Sequence, residues 1–226
     1  MKVLVVIPSR LASTRFPGKP LVKIEGREMI LRVCDQASKA YEVIVATPDK
    51  EIVKVVEEAG YKAFRTKGEC PTGTDRVCEV AESVPADIYV NVQGDEPVIK
   101  IEDIHRIVLA KQLCYNNVIN GMSRLQDNSS NIVKVIQDNG RLLNMTRKGS
   151  SDYRQHGIYA YNVHELKAYG GMTYGRKLDY LRRHEDIEIM RFHELGIPVK
   201  MVEVEGSPAV DVPADLKKIM EVLKDG

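Results

Sequence analysis

Arg10, Arg15 and Lys19 lie close together in the run Pro8-Ser9-Arg10-Leu11-Ala12-Ser13-Thr14-Arg15-Phe16-Pro17-Gly18-Lys19-Pro20, among the hydroxyl side chains of Ser9, Ser13 and Thr14. That composition suits a polyphosphate: guanidinium forks grip phosphate oxygens in pairs, an ammonium adds a point charge, and hydroxyls donate further hydrogen bonds. The basic surplus is local. Residues 2–32 carry Lys2, Arg10, Arg15, Lys19, Lys23, Arg27 and Arg32 against only Glu25 and Glu28, whereas the whole chain of 226 residues has 33 Lys plus Arg against 32 Asp plus Glu, a formal charge of +1. A chain so balanced has no general attraction to nucleic acid or anionic lipid, and neither is expected as a partner. The plain alternative for the loop is a solvated surface.

A second chemically capable group is Asn91-Val92-Gln93-Gly94-Asp95-Glu96-Pro97, an apolar run that ends in an amide, a glycine and two carboxylates. Mg²⁺ takes hard oxygen donors, one or two of them carboxylates, and fills its shell with waters and substrate phosphate oxygens. Asp95 facing a basic phosphate loop is therefore an arrangement for nucleotidyl transfer. A lone carboxylate, Asp211 in Ala209-Val210-Asp211-Val212-Pro213, ends another apolar stretch and could complete that shell. The structural alternatives are a turn cap before a helix at Ile101 for Asp95, and an N-cap of the last helix for Asp211.

Other signatures are missing. No G-x-G-x-x-G follows the first apolar run, no G-x-S-x-G occurs, and the nearest approach to a P-loop, residues 170–176, has Arg176 where lysine is required. A dinucleotide oxidoreductase, a P-loop ATPase and an esterase all lose ground. Cys34, Cys70, Cys78 and Cys114 form no C-x-x-C pair and are expected to be reduced thiols, not metal ligands. Residues 1–8 have neither the length of a membrane span nor the layout of a signal peptide, so a cytoplasmic location without membrane contact is expected.

Hydrophobic period indicates which elements must position these groups. Residues 2–8 and 43–47 are short apolar runs of the kind that form buried strands of a parallel sheet, and further strands are predicted at 62–65 and 88–92. Between them, three helices are predicted: residues 29–37, the run Ile52 to Ala59 opened by Thr47-Pro48-Asp49 and closed by Gly60, and a helix opened by Gly73-Thr74-Asp75. In an open α/β sheet ligands bind beyond the carboxyl ends of strands, here after Ile7 and Val92. From Val118 the rhythm changes: 118–122, 132–136, 142–145 and 157–161 predict strands of an antiparallel extension, followed by a strand at 200–204 and a last helix at 213–223. One α/β domain spanning residues 1–226 is expected, with a mixed, mostly parallel sheet and a small antiparallel extension.

The loop R-x-x-S-T-R-x-P-G-K-P, the segment Thr72-Gly73-Thr74-Asp75-Arg76, the turn 91–97, Gly157-Ile158-Tyr159 and Val210-Asp211-x-Pro together resemble the 3-deoxy-manno-octulosonate (Kdo) cytidylyltransferases over almost the whole chain. The resemblance implies a Rossmann-like nucleotidyltransferase fold. It also implies Mg²⁺-dependent transfer of CMP from CTP to the anomeric hydroxyl of an acidic 2-keto-3-deoxy sugar, with release of pyrophosphate, by a homodimer that feeds lipopolysaccharide or capsule assembly. Carried over by position, it assigns Arg10, Lys19 and Asp95 to catalysis and Pro8, Ser9, Arg10, Ser13, Arg15, Lys19, Thr72, Gly73, Arg76 and Gln93 to the nucleotide. Asp95 and Asp211 would ligate the metal. In-line substitution at the α-phosphorus is promoted by positioning and charge neutralisation, so no nucleophilic residue is required.

For the sugar the resemblance assigns Gln93, Arg147, Gln155, His156, Tyr159 and Glu188, with two departures. The family's histidine falls on Gln155, and His156, one position later, points to the opposite face of a strand. The family's Glu-Gln pair on a late helix falls on Glu188-Ile189, so the glutamine is missing. The stretch between Arg147 and Gly157 is also short for the family, so part of a sugar lid or dimer edge is expected to be absent. Kdo is the leading acceptor. An amino-Kdo, a nonulosonate or a phosphonate stays open, and so does a non-catalytic CTP-binding homologue. His105, His164, His184 and His193 read as helix-surface residues, and most tyrosines as core.

Overall fold

In this computed structural model, which describes residues 1–67, 69–125 and 132–225, Leu4, Val5, Val6 and Ile7 are all fully buried. Leu4 and Val6 join one apolar cluster and Val5 and Ile7 another, so both faces of the first strand are covered. An uninterrupted apolar strand is stable only in the middle of a layered structure, where each such side chain contributes about 1.5–3 kcal/mol.

The strands in chain order are β1 (Val3–Pro8), β2 (Lys23–Ile24), β3 (Arg27–Glu28), β4 (Glu42–Thr47), β5 (Lys62–Arg65), β6 (Ile88–Val92), β7 (Val118–Arg124), β8 (Lys134–Asp138), β9 (Arg141–Thr146), β10 (Tyr153–Tyr161) and β11 (Val199–Glu203). The helices are α1 (Met29–Ala37), α2 (Lys50–Glu58), α3 (Gly73–Ser83), α4 (Ile101–Leu113), α5 (Val163–Gly170), α6 (Tyr174–Arg183), α7 (Met190–Glu194) and α8 (Asp215–Asp225). Apolar side chains of α1, α2 and α4 cover the Val5 face; those of α3, α5 and α7 cover the Leu4 face. None of the described helices is long and apolar enough to cross a membrane.

The main sheet has the order β5-β4-β1-β6-β10-β7-β11-β9-β8. Its β5-β4-β1-β6 half is parallel, as the alternation of strands and helices predicts. β10 then runs antiparallel to both β6 and β7, β11 is parallel to β7, and β8 returns to pair with β10 at Tyr153↔Val135 and Arg154↔Lys134. The pairings β10-β7-β11-β9-β8-β10 therefore close a ring, more extensive than the small extension expected, within the mixed sheet that was expected. β10 begins four residues before Gly157, and its pairing with β7 shifts between Gln155 and Tyr159, a bulge that bends the strand as it passes from ring to parallel sheet.

Residues 162–199, for which the sequence indicated little beyond a late helix, contain α5, α6 and α7. Glu188 lies in the turn before α7 and not on a helix. A third apolar cluster joins Ile24 and Met29 to Val210 and Ile219, which fastens α8 and the segment before it beside the loop that follows β1. The four cysteines are free thiols, three of them buried.

Candidate active site

The basic loop leaves β1 at the carboxyl edge of the parallel strands and is pinned there by two hydrogen bonds. Ser9 N donates to Ala46 O at 2.9 Å, and Leu11 N donates to Asp49 Oδ2 at 2.7 Å. Asp49 stands at the N-cap of α2, where the sequence places a capping signal, yet it makes no side-chain bond to its own helix; its carboxylate holds the loop instead. Gly18, at φ 70°, turns the chain through the left-handed region that glycine enters without strain, into a 3-10 turn at Lys19–Leu21.

That turn aims Lys19 at the acidic segments. Its Nζ donates to Asp95 Oδ2 at 2.7 Å and to Val210 O at 2.6 Å, while Arg15 Nη2 donates to Asp211 Oδ1 at 2.9 Å. Val210 N donates to Asp95 O at 2.9 Å, which sets the two candidate metal carboxylates side by side. Asp211 lies four residues before α8, and its backbone is held by the first residue of that helix: Asp215 Oδ2 accepts from Asp211 N at 2.8 Å and from Val212 N at 2.9 Å.

Pro8, Ser9, Arg10, Ser13, Arg15, Lys19, Thr72, Gly73, Arg76 and Gln93 all line one cavity of about 680 Å³. Its floor is the start of α3. Thr72 and Asp75 form a reciprocal capping box there, and the Thr72 hydroxyl, also 3.0 Å from Tyr169 Oη, is committed to shaping the turn. Gly73 leaves room for the Gln93 amide: a Cβ there would lie 2.6 Å from Gln93 Nε2 and 3.1 Å from Pro8 Cγ, and would displace that side chain. Arg76 is 4% exposed and donates to Thr66 Oγ1 at 2.7 Å; burial, with Arg10 nearby, lowers its pKa. Ser9 Oγ is buried with no partner among the described residues.

Gln93, Arg147, Gln155, His156, Tyr159 and Glu188 line an adjoining cavity of about 930 Å³. Gln93 Nε2 donates to Glu188 Oε1 at 3.0 Å, and Glu188 Oε2 accepts from Thr74 N at 3.1 Å, so one carboxylate links the start of α3 to the Gln93 side chain; burial raises its pKa. Gln155 Nε2 is shared between Asn120 Oδ1 at 3.1 Å and Tyr159 Oη at 3.2 Å. His156 has other partners, as the one-residue offset predicts: Nε2 lies 2.8 Å from Ser123 Oγ, and the ring fills the space above Gly206. Arg147 is anchored through its backbone and Nε to Glu185.

Ile189 is 0% exposed within the core, so the position of the missing glutamine does not face this cavity. The short connection at 147–152 leaves the ring of strands intact. The sequence did not single out Arg154, Ser207 or, as an acceptor-cavity residue, Glu96, and all three line that cavity. Arg154 precedes Gln155 at the mouth of β10, and burial beside Asp95 raises the Glu96 pKa to about 7. A polar pattern of Arg154-Gln155-His156 ahead of an apolar strand was the available signal.

The two cavities share a wall formed by Arg10, Arg15, Pro71, Thr72, Gly73, Gln93, Asp95 and Asp211. No group of three or more His, Cys, Asp or Glu among the described residues could cage a metal alone. Two hard carboxylates on a wall shared with Arg10 and Arg15 would fit an ion that completes its shell with phosphate oxygens and water, as Mg²⁺ does.

The chain matches the cytidylyltransferase family over residues 4–206. It is 36% identical to the 3-deoxy-manno-octulosonate cytidylyltransferase of Koribacter versatilis over 99% of this chain and 91% of that protein. Against the enzyme of the same name from Geotalea daltonii it is 36% identical, over 100% and 99%. Among solved structures, CMP:2-keto-3-deoxy-manno-octonic acid synthetase complexed with CTP superposes with a TM-score of 0.88 at 30% identity, covering 100% of this chain and 99% of that one. The inositol-1-phosphate CTP transferase from T. maritima shares the fold, with a TM-score of 0.75 at 14% identity over 99% and 95%. Full-length identity, shared fold and the pairing of a basic loop with two carboxylates all agree: the chain belongs to the cytidylyltransferase family, among the 3-deoxy-manno-octulosonate cytidylyltransferases.

Proposed function

We propose that this chain transfers CMP from CTP to the anomeric hydroxyl of Kdo and releases pyrophosphate. The observation that carries the reading is the shared wall: Asp95 and Asp211 stand between the nucleotide cavity and the acceptor cavity, each in contact with a cation of the basic loop. The α-phosphorus must sit where both cavities meet if an acceptor hydroxyl is to attack it.

In this reading Arg10, Arg15 and Lys19 take the triphosphate oxygens, and Ser9 Oγ supplies a further donor. Asp95 and Asp211 would hold Mg²⁺, which when bound neutralises phosphate charge and organises the leaving pyrophosphate. The start of α3, with Thr72, Gly73 and Arg76, shapes the nucleoside end. Gln93 faces both substrates. Arg147, Gln155, Tyr159 and Glu188 receive the sugar, and His156 supports the wall behind Gln155. Because charge neutralisation and alignment lower the barrier, Arg10, Lys19 and Asp95 are the residues on which rate depends most.

The reading includes a cytoplasmic homodimer serving lipopolysaccharide or capsule assembly. Exposed Ile136 and Leu143 on the β8–β9 hairpin offer apolar surface for a second copy, which light scattering at micromolar concentration would detect. The decisive experiment is pyrophosphate release from CTP with Kdo, with and without Mg²⁺, beside UTP, ATP and other acidic sugars. Release with CTP, Kdo and Mg²⁺ is expected. Release only with another acid reassigns the acceptor to a cavity bearing Gln155, and CTP binding without release under any condition rejects catalysis.

A further inference from the structure

We infer that Glu96 is the positioning residue that sets the register between the nucleotide half of the site and the acceptor strand, an inference that rests on the cytidylyl-transfer reading above. The side chain is 4% exposed. Its Oε1 accepts from Gly157 N at 2.7 Å and its Oε2 accepts from Ser207 Oγ at 2.9 Å. Backbone bonds reinforce the first link: Gln93 N donates to Gly157 O at 2.9 Å, and Glu96 N donates to Gln93 O at 3.2 Å.

One carboxylate thus ties together three segments distant in sequence. The first is the turn that carries Asp95. The second is β10, where Gln155 and Tyr159 flank Gly157. The third is the segment from Ser207 to the other candidate metal carboxylate, Asp211. The junction has no slack: a Cβ at position 157 would lie 2.6 Å from Glu96 Oε1 and 2.8 Å from Gln93 Cγ, so only glycine brings the strand amide this close. Both carboxylate oxygens are engaged by protein donors, and Glu96 therefore acts through its neighbours. In-line substitution needs the attacking oxygen about 3–3.5 Å from phosphorus, and a displacement of about 1 Å costs on the order of 100-fold. A clamp between the Asp95 turn and β10 controls that distance.

The test separates shape from charge. Glu96→Gln keeps the clamp, because its amide oxygen accepts from Gly157 N and its NH₂ donates to Ser207 Oγ, a hydroxyl that serves in either role. Glu96→Asp is too short to reach both donors. Pyrophosphate release with CTP and Kdo gives kcat and acceptor KM, and calorimetry gives CTP affinity. Glu96→Gln is expected within about threefold of wild type. Glu96→Asp is expected to lose roughly 100-fold in kcat and to raise acceptor KM, with CTP affinity within about threefold. Glu96→Gln as impaired as Glu96→Asp overturns the proposal, because the charge itself would then be acting. An Asp variant with unchanged KM, whose lost rate equals its unfolded fraction, overturns it as well.

Hydrogen exchange at the Gly157 amide is a readout independent of turnover. Protection is expected to survive in Glu96→Gln and to fall in Glu96→Ala, and equal protection in both overturns the clamp. A wild-type chain that releases no pyrophosphate with any acidic sugar counts against the cytidylyl-transfer reading, and the exchange measurement then decides the clamp by itself.

Discussion

Lys19 Nζ lies 2.7 Å from Asp95 Oδ2, an ion pair whose side chains are 13% and 30% exposed. The lysine of the basic loop and a candidate metal carboxylate are thus partners in the free enzyme. In the proposed reading, arrival of a triphosphate would offer the lysine new oxygens and so free the carboxylate for a divalent ion. The two changes are coupled, because neither charge is left alone in a partly sheltered place.

Asp95→Asn preserves shape and removes the charge. We expect kcat to fall by roughly 100-fold or more while the thermal midpoint changes little, since Lys19 keeps the Val210 carbonyl as a partner. Steady-state rates across a Mg²⁺ titration check this. A variant that regains wild-type rates at high Mg²⁺ would have weakened ion binding only, whereas near wild-type rates throughout would remove Asp95 from the metal site.

Arg15 pairs with Asp211 at 2.9 Å, but its side chain is 57% exposed, so the pair adds little to stability. Arg15→Ala should leave the denaturation midpoint unchanged and weaken CTP by about tenfold, with CMP hardly affected. Calorimetric titration of both nucleotides distinguishes the outcomes, and equal weakening of the two places Arg15 away from the terminal phosphates.

His156 is 5% exposed, and burial, aided by the charge of Arg154, holds its pKa down at about 4 against an ordinary 6.5. The unfolded chain takes up the proton near pH 6.5 and the folded chain only near 4. Stability from this residue is therefore complete above 6.5 and lost as the pH falls toward 4, by an amount on the order of 3 kcal/mol. Urea midpoints measured from pH 7 to 4.5 should fall more steeply for wild type than for His156→Gln. Parallel profiles would show that another group carries the acid sensitivity.

Arg191 is fully buried, with Nη1 3.0 Å from Asp75 Oδ1 and its guanidinium carbon 3.8 Å from the centre of the Tyr169 ring. Lys177 Nζ holds the same carboxylate oxygen at 2.9 Å. Arg191→Met should cost about 3 kcal/mol in chemical denaturation. It should also raise KM for CTP, because Asp75 caps the helix start that lines the nucleotide cavity. Lost stability with an unchanged KM would confine Arg191 to the core.

The sequence made the parallel half of the fold readable almost to the residue, because β1, β4 and β6 are buried along nearly their whole length and are mostly apolar; β5, the edge strand, has only Ala63 and Phe64 as apolar residues between exposed Lys62 and Arg65. The lining of the 680 Å³ cavity was readable for a different reason: its cations, hydroxyls and glycine lie in short contiguous motifs. β10 was read short because Tyr153-Arg154-Gln155-His156 has no apolar alternation, and its pairing with β7 and β8 holds it extended. α6 was missed because its sequence is largely polar and its buried residues, Tyr180 and Leu181, are neighbours and form no repeating stripe. Asp49 read as a helix cap because local sequence cannot show that a loop 38 residues earlier would claim its carboxylate. Ile189 read as a change of specificity because alignment shows identity at a position and not the direction of a side chain.

β11 lies between β7 and β9, yet it is the last strand of the chain to be synthesised. A nascent polypeptide can assemble β1, β4, β5 and β6 as soon as residue 92 has emerged, but β7 and β9 must wait with open edges for Val199–Glu203. Asp211 follows eight residues later. Closure of the ring and delivery of the second carboxylate are thus nearly one event in the life of the chain, and a protein interrupted before it has neither a closed ring nor both carboxylates of the shared wall.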